Sequence, residues 1–188
     1  MAEDRRTRRT KKNMTNALST LLLEKPLKSI TVREIAELAD INRGTFYLHY
    51  KDVFDMAEKV LNEFFEKFNE IVCAHEPTKN SETLFPLLMN IFELMTENAD
   101  LARCMLGKHG DAAFVDKLKN VIREKCFVHL KELFYFDNED EWNYYYNFII
   151  SGCIGLISAW LEEGQIETPQ QMAALAEKMI LNGIKAFT

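Results

Sequence analysis

Residues 31–50 read TVREIAELADINRGTFYLHY. Val32, Ile35, Ala36 and Ala39 recur at helical spacing, with Arg33, Glu34 and Glu37 on the opposite face, so the first half is an amphipathic helix. Thr31 and Glu34 stand in capping-box register at its start. Asp40 stops the helix, Ile41 supplies an apolar plug, and Asn42 suits the N-cap of a second short helix from Arg43 to about His49. Two short helices joined by about three or four residues form a helix-turn-helix. Many helical bundles contain such a corner, but in DNA-binding proteins its second helix enters the major groove. On that second helix Phe46 alone requires burial, and Arg43, Gly44, Thr45, Tyr47, Leu48 and His49 are left outside. This set suits DNA: Arg and Asn for base edges, hydroxyls for phosphates, and a glycine where the backbone must approach closely.

Outward from this segment the chain reads as helix throughout. Leu, Met, Glu, Lys and Phe recur at spacings of three and four, and no long segment alternates with period two. Breaks fall at Lys25-Pro26, Asp40, Asn42, Tyr50 to Asp52, His75 to Pro77, Gly107 to Gly110, Asp137-Asn138 and Thr168-Pro169. Ser81, Asp52 and Thr168-Pro169 supply further helix starts. The expectation is an all-α chain of about nine helices. A three-helix DNA-binding domain at 1–51 leads, through a helix at Asp52 to Cys73, into a larger bundle at 52–188.

Charge follows the same division. The 188 residues carry 23 Lys+Arg and 29 Asp+Glu, a net charge of −6, which by itself argues against nucleic acid. Residues 1–51, however, hold 11 basic and 6 acidic residues, a net +5, and residues 52–188 hold 12 and 23, a net −11. Arg5, Arg6, Arg8, Arg9, Lys11 and Lys12 lie within eight residues. They form either a solvated helix start, with Asp4 as cap, or a phosphate-contacting arm; beside the helix-turn-helix the second reading is preferred.

Other function classes find little support. The N-terminal run MAEDRRTRRTKKN has no apolar core of a secretory signal, so a cytoplasmic location is expected. Cys73, Cys104, Cys126 and Cys153 are widely spaced and read as reduced thiols. Trp142 to Leu161 lacks formal charge over a membrane-spanning length. Its asparagines, serines and flanking acids instead suggest a helix buried on all sides in a protein without membrane contact. Cys126 and His129 make half of a metal site with no second half, so neither metal nor cofactor is expected. HExxH, GxSxG, P-loop and Rossmann glycine patterns are absent, and an enzyme is the weakest class.

The run Thr31-Val32-x-x-Ile35-Ala36-x-x-Ala39, followed by Gly44-Thr45-Phe46-Tyr47-x-His49-Tyr50, resembles the tetracycline-repressor (TetR/AcrR) family of bacterial transcription regulators. The resemblance is specific over about residues 8–68. Beyond that it rests on length, helix layout and a Trp-Leu-x-x-Gly run ending at Gly164. It implies that Asn42, Gly44, Thr45, Tyr47 and His49 touch DNA, Tyr47 and His49 at phosphates, and that Thr31 makes a phosphate contact at a helix N-terminus. Arg43, able to grip guanine, is the leading base-specific contact. Phe46 and Tyr50 read as core. Two departures stand out: Asp40 where the family often has Gly, and Val53 where it often has a phosphate-binding Lys, so that Lys51 is the nearby cation.

The resemblance also implies a ligand pocket and a dimer. The Phe and Met residues of the middle helices (Phe85, Met95, Phe114 and Phe134 among them) suit a core and, as a set, a cavity for a small apolar or aromatic ligand; Phe64, Phe68, Met89, Phe92, Met105, Phe127, Tyr145 and Phe148 are the candidate lining. Ser151, Gly155 and Ala159 form a small-residue stripe at i, i+4, i+8, and Leu175 and Met179 offer apolar partners. The family pairs these last two helices across a homodimer. The resulting expectation is a homodimeric repressor released from a palindromic operator by a ligand. A DNA-binding protein without small-molecule control, or a helical scaffold with an idle helix-turn-helix, remain as alternatives.

Overall fold

The computed structural model describes residues 5–75, 83–107, 112–133 and 138–184, leaving aside the side chains at 127–129, 132–133 and 183–184. Ser81, Phe134 and Asp4, the proposed cap of the basic segment, lie outside the described residues, as do the side chains of Phe127 and His129. Among the described residues there are nine α-helices and no strand. The chain divides into two compact units, Met1–Phe65 and Glu66–Thr188.

The first unit holds α1 (Arg5–Glu24), a single 3-10 turn (Leu27–Ser29), α2 (Val32–Leu38), α3 (Arg43–Tyr47) and the start of α4 (Val53–Ala74). Asp52 caps α4 by accepting the Asp55 amide at 2.8 Å. Val53, Met56, Ala57, Val60 and Phe64 recur at three- and four-residue spacing and are buried, which draws the first turns of α4 into this unit. With Met14, Leu18, Ile35, Phe46 and Tyr50 they make its core.

The second unit contains the rest of α4 with α5 (Phe85–Glu97), α6 (Ala99–Leu106), α7 (Ala112–Leu133), α8 (Glu139–Glu162) and α9 (Pro169–Ile184). The break between α5 and α6 falls at Asn98, with no Gly or Pro to announce it; its side-chain amide donates to the Leu94 carbonyl at 2.8 Å. Helix α5 packs along α9. Glu177 of α9 reinforces the pair by capping α5, accepting the amides of Leu84 and Phe85 at 2.8 and 2.9 Å together with the Thr83 hydroxyl. Helix α6 is tied to α8 by Arg103 Nε on the Leu161 carbonyl (3.1 Å) and Ser158 Oγ on the Leu106 carbonyl (3.0 Å).

Helix α8 starts on Asn138, whose side-chain Oδ1 accepts the Asp140 and Glu141 amides, with three acids in its first turn to complement the helix dipole. It ends in a Schellman motif: Gln165 N–H returns to the Trp160 carbonyl, Gly164 N–H to Leu161, and Gly164 takes φ +85°. The expectation that α8 is buried on all sides is corrected. Trp142, Tyr145, Tyr146, Ile150 and Trp160 face inward, but Tyr144 and Phe148 (70% exposed) lie open, as do Ser151, Gly152, Gly155 and Ala159. By length and composition alone α8 could cross a membrane, and a third of its most apolar window is buried within the unit.

Candidate nucleic-acid interface and apolar cavity

Helix α2 begins with a complete capping box. Thr31 Oγ1 accepts the Glu34 amide at 3.3 Å, and the Glu34 carboxylate accepts the Thr31 amide at 3.0 Å and its hydroxyl at 2.8 Å. Lys25 also bonds that carboxylate. The Lys25 hydrogen bond, followed by those from Thr31, holds Glu34 well below the usual carboxylate range, at about 2. Thr31 is exposed, but its hydroxyl is already engaged by an acid on its own helix.

The turn after α2 is a second Schellman motif, with Asp40 as the left-handed residue. Asp40 has φ +53°, its N–H reaches the Glu37 carbonyl, and the Ile41 N–H reaches back to Ala36. Aspartate adopts this conformation at some cost, because its side chain crowds the carbonyl where glycine would not. Half-buried Ile41 then supplies the apolar residue that such a turn places beside the helix end.

Asn42 caps α3 by accepting the Gly44 amide at 3.2 Å. The helix itself is only five residues long, shorter than its pattern predicts, yet its facing is as expected. Phe46 is 0% exposed and meets Tyr50 at a centroid distance of 5.6 Å. Asn42, Arg43 and Gly44 are exposed, Tyr47 is 59% and Leu48 81% exposed, and Thr45 and His49 are half-buried. A Cβ built on Gly44 would meet nothing nearer than Asn42 Oδ1 at 4.0 Å, so no packing within the unit requires a glycine there.

Around α3 the cations are distributed unevenly. Lys51 is exposed, and its backbone N–H binds Asp55. Val53 is buried and offers the surface nothing. Lys59, which sequence reasoning passed over, places its ammonium 3.4 Å from the His49 carbonyl, 2.9 Å from the Asp55 carboxylate and over the Tyr50 ring. Its signal was available, since Asp52, Asp55 and Lys59 follow one another at helical spacing. Arg5 and Arg6 are exposed in the first turn of α1, so the basic segment is helical from Arg5 onward, with no acid in that turn.

The second unit holds a partly open cavity of about 90 Å³ whose lining residues carry no charged side chain. Phe68, Phe92, Met95 and Tyr145 line it. Four expected residues do not, and the lining is corrected accordingly. Phe64 belongs to the core of the first unit beside Phe65, Phe148 lies in the open, and Met89 and Met105 stand outside the walls. Leucines and isoleucines, mainly of α5, α7 and α8, fill most of the wall instead, with Trp142, Tyr146, Cys126 and Cys153. Aromatic periodicity reports burial and carries no information on which buried residues border a void. Burial pushes the Cys153 thiol up to about 11 and the Tyr145 phenol to about 12, so both are neutral. The Tyr145 hydroxyl donates to the Ile180 carbonyl at 2.7 Å, which fixes this wall to α9.

Of the residues expected at a dimer contact, Ser151, Gly155 and Ala159 are exposed on α8, and Leu175 and Met179 are exposed on α9. A Cβ on Gly152 or Gly155 would meet nothing within 4 Å.

Comparison with known proteins gives this arrangement a family. A family model of the TetR class, described as a transcriptional regulator C-terminal region, matches residues 82–182. The HTH-type transcriptional repressor KstR2 of Rhodococcus jostii is 28% identical over 119 residues, which is 61% of this chain and 53% of that protein. An uncharacterized HTH-type transcriptional regulator, YxbF of Bacillus subtilis, is 33% identical over 85 residues, 41% of this chain and 22% of the relative. The matches thus span about half and about a fifth of these relatives' lengths. The crystal structure of a TetR transcriptional regulator from Streptococcus agalactiae superposes with a TM-score of 0.56 at 22% identity, covering 94% of this chain and 96% of that one. The chain belongs to the TetR family of transcriptional regulators.

Proposed function

We propose that this regulator is a homodimeric repressor that binds a palindromic operator and leaves it when a small apolar or aromatic ligand occupies the cavity of the second unit. The observation that carries this reading is the facing of α3: Phe46 alone is sunk in the core, and Asn42, Arg43, Gly44, Tyr47 and Leu48 are turned out. Arg43 reads a base edge, Gly44 lets the backbone close on the duplex, and Thr45, Tyr47, His49 and Lys51 meet phosphates, joined by Thr31 once its hydroxyl turns from Glu34 to the duplex. Arg5 and Arg6 add sequence-independent affinity. The DNA-binding domain is residues 1–51 and the regulatory domain 52–188, in a cytoplasmic protein.

A single helix-turn-helix reads few base pairs, and a two-fold pair reading two half-sites supplies the selectivity. The open strip on α8, with Leu175 and Met179 on α9, is apolar and small-residued enough to pair with its copy. Phe68, on the cavity wall, belongs to α4, a helix that runs without interruption from Val53 to Ala74. A ligand that displaces Phe68 tilts α4 and alters the spacing of the two recognition helices. A coupling of about 1–3 kcal/mol, or roughly 5- to 150-fold in operator affinity, is ordinary for such a switch.

The test is selection of bound duplexes from random DNA with the full chain, followed by titration at several salt concentrations. A palindromic consensus, a negative salt slope, and loss of discrimination at one position in Arg43→Ala are expected. Failure to enrich any sequence ends the operator reading. An enriched sequence whose affinity no hydrophobic compound changes ends the ligand-release reading and leaves DNA binding standing.

A further inference from the structure

The apolar cavity shares two of its lining residues with a polar groove. Tyr146 and Ile150 of α8 line both; the groove is completed by Asp116, Lys119, Asn120 and Arg123 of α7 and by Asn147 of α8. Arg123 is held in place there, its guanidinium over the Tyr146 ring at 5.6 Å from the centroid and its Nη2 donating to Asn143 Oδ1 at 3.0 Å. Tyr146 also belongs to the cavity wall, and burial raises its phenol well above the ordinary value.

The charge pattern sharpens this juxtaposition. Residues 66–188 hold 11 Lys/Arg against 19 Asp/Glu, yet α7 alone carries five of those eleven cations and only three acids. Two of the five, Lys119 and Arg123, line the groove, and Asp116 is the one acid among its described lining residues. In a unit that is otherwise strongly acidic, the positive helix lies along the edge of the uncharged cavity. A wholly apolar ligand has no use for this edge, whereas a molecule with a long tail and a negative head uses both parts.

We propose that cavity and groove form one site for an anionic amphiphile. Its aliphatic tail lies among the leucines and isoleucines of the cavity, and its carboxylate or phosphate oxygens meet Arg123 and Lys119, with Tyr146 and Ile150 at the passage between the two. This names the ligand class for the ligand-released regulator proposed above and rests on that reading. Each methylene buried in the cavity raises affinity about fourfold, and the head fixes which end enters first.

Dodecanoate, dodecan-1-ol and dodecanoyl-coenzyme A share one tail and differ in the head. Each is titrated into the full chain below its micelle-forming concentration, read by the fluorescence of Trp142 on the cavity wall and by operator affinity. Dodecanoate is expected to bind at least about tenfold tighter than the alcohol, as charge-assisted hydrogen bonds allow. The double variant Arg123→Gln/Lys119→Gln should erase that difference by weakening dodecanoate far more than the alcohol, and Arg123→Lys should retain most of it. Tighter binding of the coenzyme A thioester than of the free acid assigns the head to phosphate, the reverse to carboxylate; either supports the site. Equal affinities for acid and alcohol overturn it, and if the alcohol still lowers operator affinity the ligand-release reading survives. Failure of all three to bind also overturns it, whatever other hydrophobic compound releases the DNA.

Discussion

Gly44→Ala separates the stability of the fold from its use. Gly44 is the second residue of α3, its φ is not in the left-handed region, and an added Cβ would find only Asn42 Oδ1 at van der Waals distance, 4.0 Å. Inside the unit the substitution therefore costs no packing and removes a flexible glycine from a helix. That is worth about 0.5–1 kcal/mol in a helix interior, with the first turn at the lower end. For a chain of this length each kcal/mol moves Tm by about 2–4 °C, so Tm should rise by roughly 1–3 °C. Against DNA the same methyl stands out from the recognition helix by one carbon–carbon bond, about 1.5 Å. It holds the helix off the duplex, and forfeiting even one base or phosphate contact of about 1–3 kcal/mol lowers affinity tenfold or more. Thermal melting and operator titration on the same preparation measure both quantities. A raised Tm with operator affinity changed less than twofold would refute the placement of α3 against DNA. A lowered Tm would refute the open-space argument itself.

Asp40→Gly should stabilise the first unit by about 0.5–1 kcal/mol, read as a shift in the urea midpoint, because φ +53° is free to glycine and strained for aspartate; Asp40→Val should destabilise it. Glu34 titrates near 2 in the folded chain against an ordinary 4.5, so its contribution is complete above about pH 4.5 and is lost as pH falls toward 2. Stability measured across that window should fall less steeply in Glu34→Gln, and equal slopes in the two proteins would contradict the capping-box account. Glu177→Ala strips the α5 N-terminus of the carboxylate that binds two amides and a hydroxyl, at a cost of about 1–2 kcal/mol in denaturant unfolding, against little change for neighbouring exposed Lys178→Ala. A Cβ on Gly155 meets no atom within 4 Å and the position is exposed, so in Gly155→Glu the protomer should keep its helical circular dichroism while sedimentation equilibrium shows dimer giving way to monomer. Persistence of a dimer would remove this face of α8 from the interface.

The helices and the helix-turn-helix were legible because each depends on neighbours in sequence. The Thr31–Glu34 box, the Asn42 cap, the Asp52 cap and the Thr168-Pro169 start are all satisfied within three residues, and period-3.6 burial of Ile35, Ala36, Phe46 and Met56 needs only helical geometry. The break at Asn98 was missed because no Gly or Pro marks it, and the bond from its side-chain amide to the Leu94 carbonyl is one that Asn90, Asn143 and Asn147 also make inside unbroken helices. The cavity was legible only in outline. Its wall combines α4, α5, α6, α7, α8 and α9, and Phe64 and Phe68, four residues apart on one helix, fall into different compact units. No local pattern tells which of two buried phenylalanines borders a void. The open face of α8 was misread for a related reason: an uncharged helix looks the same in sequence whether its second apolar face is covered by its own chain or left for another.

Places where this chain departs from rules of local stability are informative as a group, since such departures concentrate where function competes with folding. Four arginines within the first five residues of α1 oppose the helix dipole and repel one another, with no acid in the turn to relieve them. Gly44 weakens a five-residue helix without need of the space, and Leu48 leaves an apolar side chain 81% exposed beside it. Gly152 and Gly155 weaken α8 with nothing packed on them, and the cations of α7 gather in an acidic unit. On the function proposed above, each departure would be relieved from outside the chain: by phosphates beside the arginines, a duplex backbone over Gly44 and Leu48, a second copy against the glycines, and a negative head beside Arg123 and Lys119. Because affinity for DNA follows the phosphates locally neutralised, the net charge of −6 does not decide the matter. The positive excess needs only to be where the duplex docks, and the first 51 residues hold it.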